Sequence, residues 1–199
     1  MSKPGLCVVW QENVPVQSRA LWYALNVRER LEVGISRNLE AKGYESFLPS
    51  YMSRRMWSDR TKLLEVSLFP GYVFCRFDFS DRLPVLSVPG VKSVVGIGKL
   101  ATPVEERELE AVRAVVKSGL ACGPWPFLSA GQLVRLERGP LRDVEGIILE
   151  VKGTYRLVVS ISLLMRSVSV EVDRDWVRPI TRTAQYQTQH FNTPSRIGA

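Results

Sequence analysis

Arg54, Arg55, Arg60 and Lys62 flank Met56 and Trp57 within the ten residues Ser53 to Lys62. Guanidinium and ammonium groups grip phosphate oxygens, and an exposed indole offers a face on which a base can stack, so this grouping suits nucleic acid. The same residues also suit a solvated hairpin tip with Trp57 folded back on its own sheet. The net charge of +7, from 27 basic and 20 acidic residues, fits a polyanionic partner.

Catalytic chemistry has fewer candidates. The one histidine, His190, falls in a polar stretch where no packed shell would orient it, so a Ser/His or Cys/His nucleophile is not expected. Cys7, Cys75 and Cys122 are odd in number and far apart, which indicates neither a disulfide framework nor a zinc site and fits a reducing cytoplasm. No two carboxylates are marked as convergent. Gly96-Ile-Gly-Lys-Leu-Ala101 matches the dinucleotide pattern G-x-G-x-x-A, but Pro103 and Val104 intervene before the next helix, so no helix N-terminus would face a pyrophosphate. The expectation is a non-enzymatic protein with no cofactor and no metal.

The elements that must position the basic residues follow from periodicity. Residues 1–20 have no clear period and are expected to form a loose leader; their short apolar patch is broken by Gln11-Glu12-Asn13 and makes no signal peptide. No apolar run approaches a membrane span. Trp22 to Val27 alternates as a first strand, with Tyr23, Leu25 and Val27 on one face. Leu31, Ile35 and Leu39 recur at helical spacing, and Gly43 is placed to end that helix. Ser46 to Met52 and Leu64 to Phe77 are strand-like on either side of the basic arm. A helical turn is expected over Asp81 to Val88 and a strand over Val91 to Ile97. Glu105 to Lys117 should be an amphipathic helix with Leu109, Val112 and Val116 inside. Along Tyr72 to Phe77, alternation sends Val73, Cys75 and Phe77 to one face and Tyr72, Phe74 and Arg76 to the other.

The composition then changes. Gly119, Gly123, Pro124 and Pro126 mark 119–129 as a linker between a first domain, 21–118, and a second, 130–180; 181–199 is polar and expected to be a flexible tail. The second domain holds short β-branched runs at Gln132 to Leu136, Val144 to Val151, Tyr155 to Ser162 and Ser167 to Val172, expected to close as a small barrel. Within Gly131 to Val151, Gly139 permits a positive φ, Pro140 preorganises the turn, and Gly146 would allow a bulge.

That strand, turn and strand resembles a KOW motif, found in NusG-type elongation factors and in several ribosomal proteins. Upstream, Trp22-Tyr23, the helix after it, the basic arm, Phe69-Pro-Gly-Tyr-Val-Phe74 and Ser87-Val-Pro-Gly-Val91 occur in the order of the NusG N-terminal domain. The pairing resembles the NusG family over about residues 21 to 180. The resemblance implies an α+β chain, an antiparallel sheet with flanking helices followed by an all-β, SH3-like KOW barrel. It also implies a cytoplasmic, monomeric transcription elongation or antitermination factor.

In the family, the aromatic cluster around F-P-G-Y docks on the clamp helices of bacterial RNA polymerase. Carried over, the docking residues are Phe69, Tyr72 and Phe74, with Trp22 and Tyr23 in support. Arg28, Arg54, Arg55, Trp57, Arg60 and Lys62 would contact exposed DNA of the transcription bubble. The barrel would recruit a further protein, ribosomal protein S10 or the termination factor Rho in housekeeping members. Here the segment typically reading F-G-R-x-T-P-V-E-L is Leu163-Leu-Met-Arg-Ser-Val-Ser-Val-Glu-Val172, keeping only the arginine and the Val-Glu. This departure puts the S10 and Rho contacts in question and favours a specialised paralogue. The alternative is a ribosome-associated RNA-binding KOW protein.

Overall fold

The computed structural model describes residues 20–56, 61–128, 131–151 and 153–180. The expected leader and tail, together with Trp57 and Arg60, lie outside the described residues.

Alternation along one strand creates the first domain. β1 (Leu21–Val27) sits between β5 (Tyr72–Phe77) and β6 (Val91–Val94), and β2 (Glu45–Phe47) closes the far edge, giving an antiparallel sheet in the order β2-β5-β1-β6. Tyr23, Leu25 and Val27 of β1 point to one face with Val73, Cys75 and Phe77 of β5. There they meet Ile35 and Leu39 of α1 (Glu32–Ala41) and Val85 of the short α2 (Leu83–Leu86). Burial in this core pushes the Cys75 thiol up to about 12, so it behaves as a small apolar side chain. α1 ends at Gly43, as its position indicates, with Gly43 N–H donating to the Glu40 carbonyl.

The intervening residues Trp22, Ala24 and Phe74 point to the opposite face and belong to a second core with α3 (Glu106–Lys117). The buried stripe of α3 is Leu109, Val112 and Val115, not Val116, which is only half-buried. Val115 stands three positions on from Val112, a spacing that shares a helix face. Acidic Glu106 and Glu108 occupy the first turn of α3, where the helix dipole favours them.

Two hairpins leave this sheet. β3 (Ser50–Met56) and β4 (Thr61–Ser67) form a separate two-stranded ribbon, which is the expected basic arm. β7 (Gly96–Ile97) and β8 (Leu100–Ala101) form a minimal hairpin from the G-x-G-x-x-A stretch. A Cβ at Gly96 would lie 2.0 Å from the Leu100 carbonyl oxygen, so the first glycine serves close strand approach, and no helix starts there.

The second domain is a six-stranded sheet in the order β14-β10-β11-β12-β13-β9. Its strands are β9 (Cys122–Trp125), β10 (Gln132–Leu136), β11 (Glu145–Val151), β12 (Thr154–Ile161), β13 (Arg166–Val172) and β14 (Val177–Pro179). The expected linker is therefore shorter than its composition suggests. β9 lies within 119–129 and pairs with β13, Cys122 opposite Val170 and Trp125 opposite Ser167. Pro124 is tolerated because β9 is an edge strand. The turn between β10 and β11 holds Gly139 at φ +77, where a Cβ would lie 2.7 Å from the Trp176 ring, so only glycine fits. Gly146 is not a bulge. It pairs with Val134 in continuous register, and its missing side chain admits the Val158 carbonyl oxygen, 2.5 Å from where a Cβ would stand.

No helix among the described residues is long and apolar enough to cross a membrane.

Candidate functional site

The Phe69-Pro-Gly-Tyr72 turn is fixed by three polar contacts. Tyr72 N–H closes it onto the Phe69 carbonyl at 3.1 Å, with Pro70 and Gly71 at its corners and Gly71 at φ +82. Gly71 N–H donates to Glu32 Oε1 of α1 at 2.9 Å in a buried contact, and its carbonyl accepts from Val27 N–H at 2.8 Å. Glu32 is itself buried, so one carboxylate ties helix and turn together.

The turn delivers the aromatic face. Phe69 meets Phe74 edge-on, with ring centroids 5.8 Å apart and planes at 89°, and Phe47 lies 6.2 Å from Phe74. Arg113 of α3 lays its guanidinium over both Trp22, at 4.6 Å, and Phe47, at 5.0 Å. Trp22, Phe69, Tyr72 and Phe74 are brought together in one cluster. Tyr23 is not among them. It points to the α1 face, 4.9 Å from Phe77 and 5.6 Å from Phe79, because adjacent residues of a strand face opposite ways.

The face is also covered. Phe69 and Phe74 are fully buried and Trp22 nearly so, while Phe47 and Tyr72 keep part of their surface. The apolar cluster continues from these rings through Leu109, Val112 and Val115 of α3 into the barrel interior at Leu157, Ile161 and Val168. Two polar contacts join the domains along this seam. Glu108 of α3 accepts from Ser162, from its N–H at 3.1–3.2 Å and its hydroxyl at 2.6 Å. Arg166 of β13 lies over the Tyr72 ring at 5.1 Å. Burial raises the Glu108 carboxyl above its ordinary value of 4.5, against the opposing pull of the Ser162 bonds.

Phe47, Glu108, Arg113, Ser162 and Arg166 were not singled out from sequence. Phe47 lies in a strand-like run with Pro49 and Tyr51, and Arg166 is the arginine retained in the altered barrel segment; those were the available signals. Ser162 carried none.

The basic residues are distributed differently from the rings. Arg54 and Arg55 lie on β3 and Lys62 on β4, with Arg55 opposite Lys62 in register. Met52 and Leu63 on the same ribbon are exposed. Arg28 is not on the ribbon; it follows β1, where its N–H donates to the Gly90 carbonyl at 2.8 Å, and its side chain is exposed. The described residues contain no cluster of three or more His, Cys, Asp or Glu able to hold a metal ion.

Glu32→Ala should cost about 1–3 kcal/mol by leaving the buried Gly71 N–H without an acceptor, and Glu32→Gln should recover part of it. Urea unfolding followed by Trp fluorescence measures both. Because the folded pKa of Glu108 is raised, its contribution to stability is full below the ordinary value of 4.5 and is lost as pH rises through the raised one. Melting temperatures from about pH 4 to about pH 8 should therefore fall more steeply in the wild type than in Glu108→Gln, which cannot ionise.

Residues 20–113 match the family model described as transcription termination factor nusG. Among curated proteins, the chain is 29% identical over 116 residues to the transcription termination/antitermination protein NusG of Helicobacter pylori strain J99. That match covers 57% of this chain and 66% of the relative. Longer matches join it to NusG of Campylobacter jejuni, 27% identical over 76% of this chain and 92% of the relative. For NusG of Neisseria meningitidis the values are 26%, 80% and 97%. A solved structure of Thermotoga maritima NusG, titled for its domain interaction, aligns with a TM-score of 0.51 at 23% identity. It covers 81% of this chain and 98% of that one, and it speaks to the fold alone. Residues 20–113 thus match the NusG family model, and over its longer span the chain is similar to NusG proteins at 26–29% identity.

Proposed function

We propose that this chain is a transcription termination/antitermination factor that docks on bacterial RNA polymerase through the aromatic face of its first domain. The cluster of Trp22, Phe47, Phe69, Tyr72 and Phe74 carries this reading. Large rings gathered on one face of a sheet suit an apolar ridge such as a pair of helices. The face is under the barrel in the structure, so docking requires the Glu108–Ser162 and Arg166–Tyr72 contacts to open first. Once docked, the first domain would hold the polymerase clamp closed and bias it against pausing. The freed barrel would recruit a second protein. The two-stranded ribbon bearing Arg54, Arg55 and Lys62 would reach exposed DNA of the bubble, with Arg28 as a separate contact.

The polymerase test is co-migration with a core RNA polymerase elongation complex. Phe69 is fully buried, so replacing it would unfold the domain rather than probe docking. Tyr72→Ala should weaken co-migration, while Ser162→Asp, which sets a second carboxylate against Glu108, should strengthen it. Folded protein that fails to bind polymerase, or a Ser162→Asp variant no better than wild type, would count against the docking face. Sedimentation with ribosomal subunits without polymerase would favour the ribosomal alternative.

Charge reversal on the ribbon, Arg55→Glu with Lys62→Glu, should reduce crosslinking to bubble DNA and flatten its salt dependence while leaving the unfolding free energy within about 1 kcal/mol of wild type. Unchanged crosslinking would remove the ribbon from the DNA contact.

A further inference from the structure

One guanidinium connects four elements of the first domain. The guanidinium carbon of Arg113 on α3 lies 4.6 Å from the centre of the Trp22 ring of β1 and 5.0 Å from that of Phe47 of β2. Its terminal nitrogens pair with Glu110, one helical turn earlier, at 3.1 Å and with Glu45 of β2 at 3.5 Å. Glu45 in turn reaches Arg76 of β5 at 3.6 Å, the residue opposite it in register.

Cohesion does not explain the arrangement. The burial that seats α3 belongs to Leu109, Val112 and Val115, whereas the Arg113 side chain keeps 22% of its surface. Glu45 and Glu110 are 52% and 59% exposed, so water screens both ion pairs and leaves them little net strength. What the guanidinium fixes is the rings. β2 is an edge strand of three residues, bonded on one side to β5, and Phe47 is its last residue. A strand that short leaves the direction of the Phe47 ring to its side-chain contacts, Phe74 at 6.2 Å and Arg113. A flat guanidinium can lie against two aromatic faces at once, whereas an ammonium is a single point of charge.

Trp22, Glu45, Phe47, Arg76, Glu110 and Arg113 all lie in the first domain, so their contacts do not depend on the seam with the barrel. We propose that Arg113 is a positioning residue for docking, holding Trp22 and Phe47 in the arrangement that the polymerase meets. The rings are then ordered before binding, and the cost of ordering them is not charged to the complex. This inference rests on the polymerase reading above.

The test titrates the full-length chain against a core RNA polymerase elongation complex, at a temperature where circular dichroism shows every variant folded. Arg113→Lys keeps the charge and its carboxylate partners but loses the flat face, and Arg113→Met keeps the length and loses both. Each should bind about tenfold more weakly than wild type. A second readout contains no polymerase: 4-fluorophenylalanine at position 47, whose fluorine resonance should shift or broaden in both variants relative to the Arg113 protein. Wild-type affinity in Arg113→Lys would show that charge alone suffices and overturn the inference while leaving the polymerase reading in place. An unmoved fluorine resonance in Arg113→Met would overturn it as well, because the ring would then be held without the guanidinium. Failure of the folded wild type to bind would remove the polymerase reading and this inference with it.

Discussion

Everything in the first domain depends on a sheet with no solvent face. β1 and β5 feed alternate side chains into two different cores, Tyr23, Leu25 and Val27 toward α1 and Trp22 and Ala24 toward α3. A slip of one residue in the pairing of these strands would exchange the two sets, placing aromatic rings where aliphatic ones fit. Register is therefore specified from both sides at once. The Glu32 contact to the F-P-G-Y turn adds a polar constraint at the point where β5 begins, so the strand enters the sheet in one phase only.

The periodic parts of this arrangement were legible in the sequence. Alternation separated Val73, Cys75 and Phe77 from Tyr72 and Phe74, and the second domain's β-branched runs became strands in the expected order. Alternation also set Tyr23 with Leu25 and Val27 on the α1 face, so its place in the docking set came from the family resemblance alone. β9 was missed because glycine and proline dominate it; an edge strand that pairs on one side tolerates a composition that a central strand does not. The seam between the domains had no local signal at all. Glu108 and Ser162 are 54 residues apart, and nothing in the pattern around either announces the other.

The seam gives the aromatic face two incompatible uses. Rings that complete the apolar cluster with the barrel interior cannot at the same moment cover a partner's surface. Among the described residues two polar contacts cross the seam, and Glu108 is held there at some electrostatic cost because burial disfavours its charged form. The apolar continuity from Phe74 through α3 to Leu157 therefore supplies most of the cohesion, and it is the kind of contact an equally apolar partner can replace.

β9 sets how far the barrel can travel from the first domain. Between Lys117, the last residue of α3, and Cys122, the first of β9, lie four residues, Ser118 to Ala121, whose extended reach is about 14 Å. With β9 zipped to β13, the barrel is on a short leash and can only pivot beside α3. An edge strand of four residues, interrupted by Pro124, is bonded along one side only and can peel away without opening the rest of the barrel. Peeled, the leash runs from Ser118 to Gly131, fourteen residues reaching roughly 45–50 Å. The same tether thus has a short and a long setting. At the long one the effective concentration of barrel at the seam falls steeply, because a longer flexible connection dilutes the end it carries.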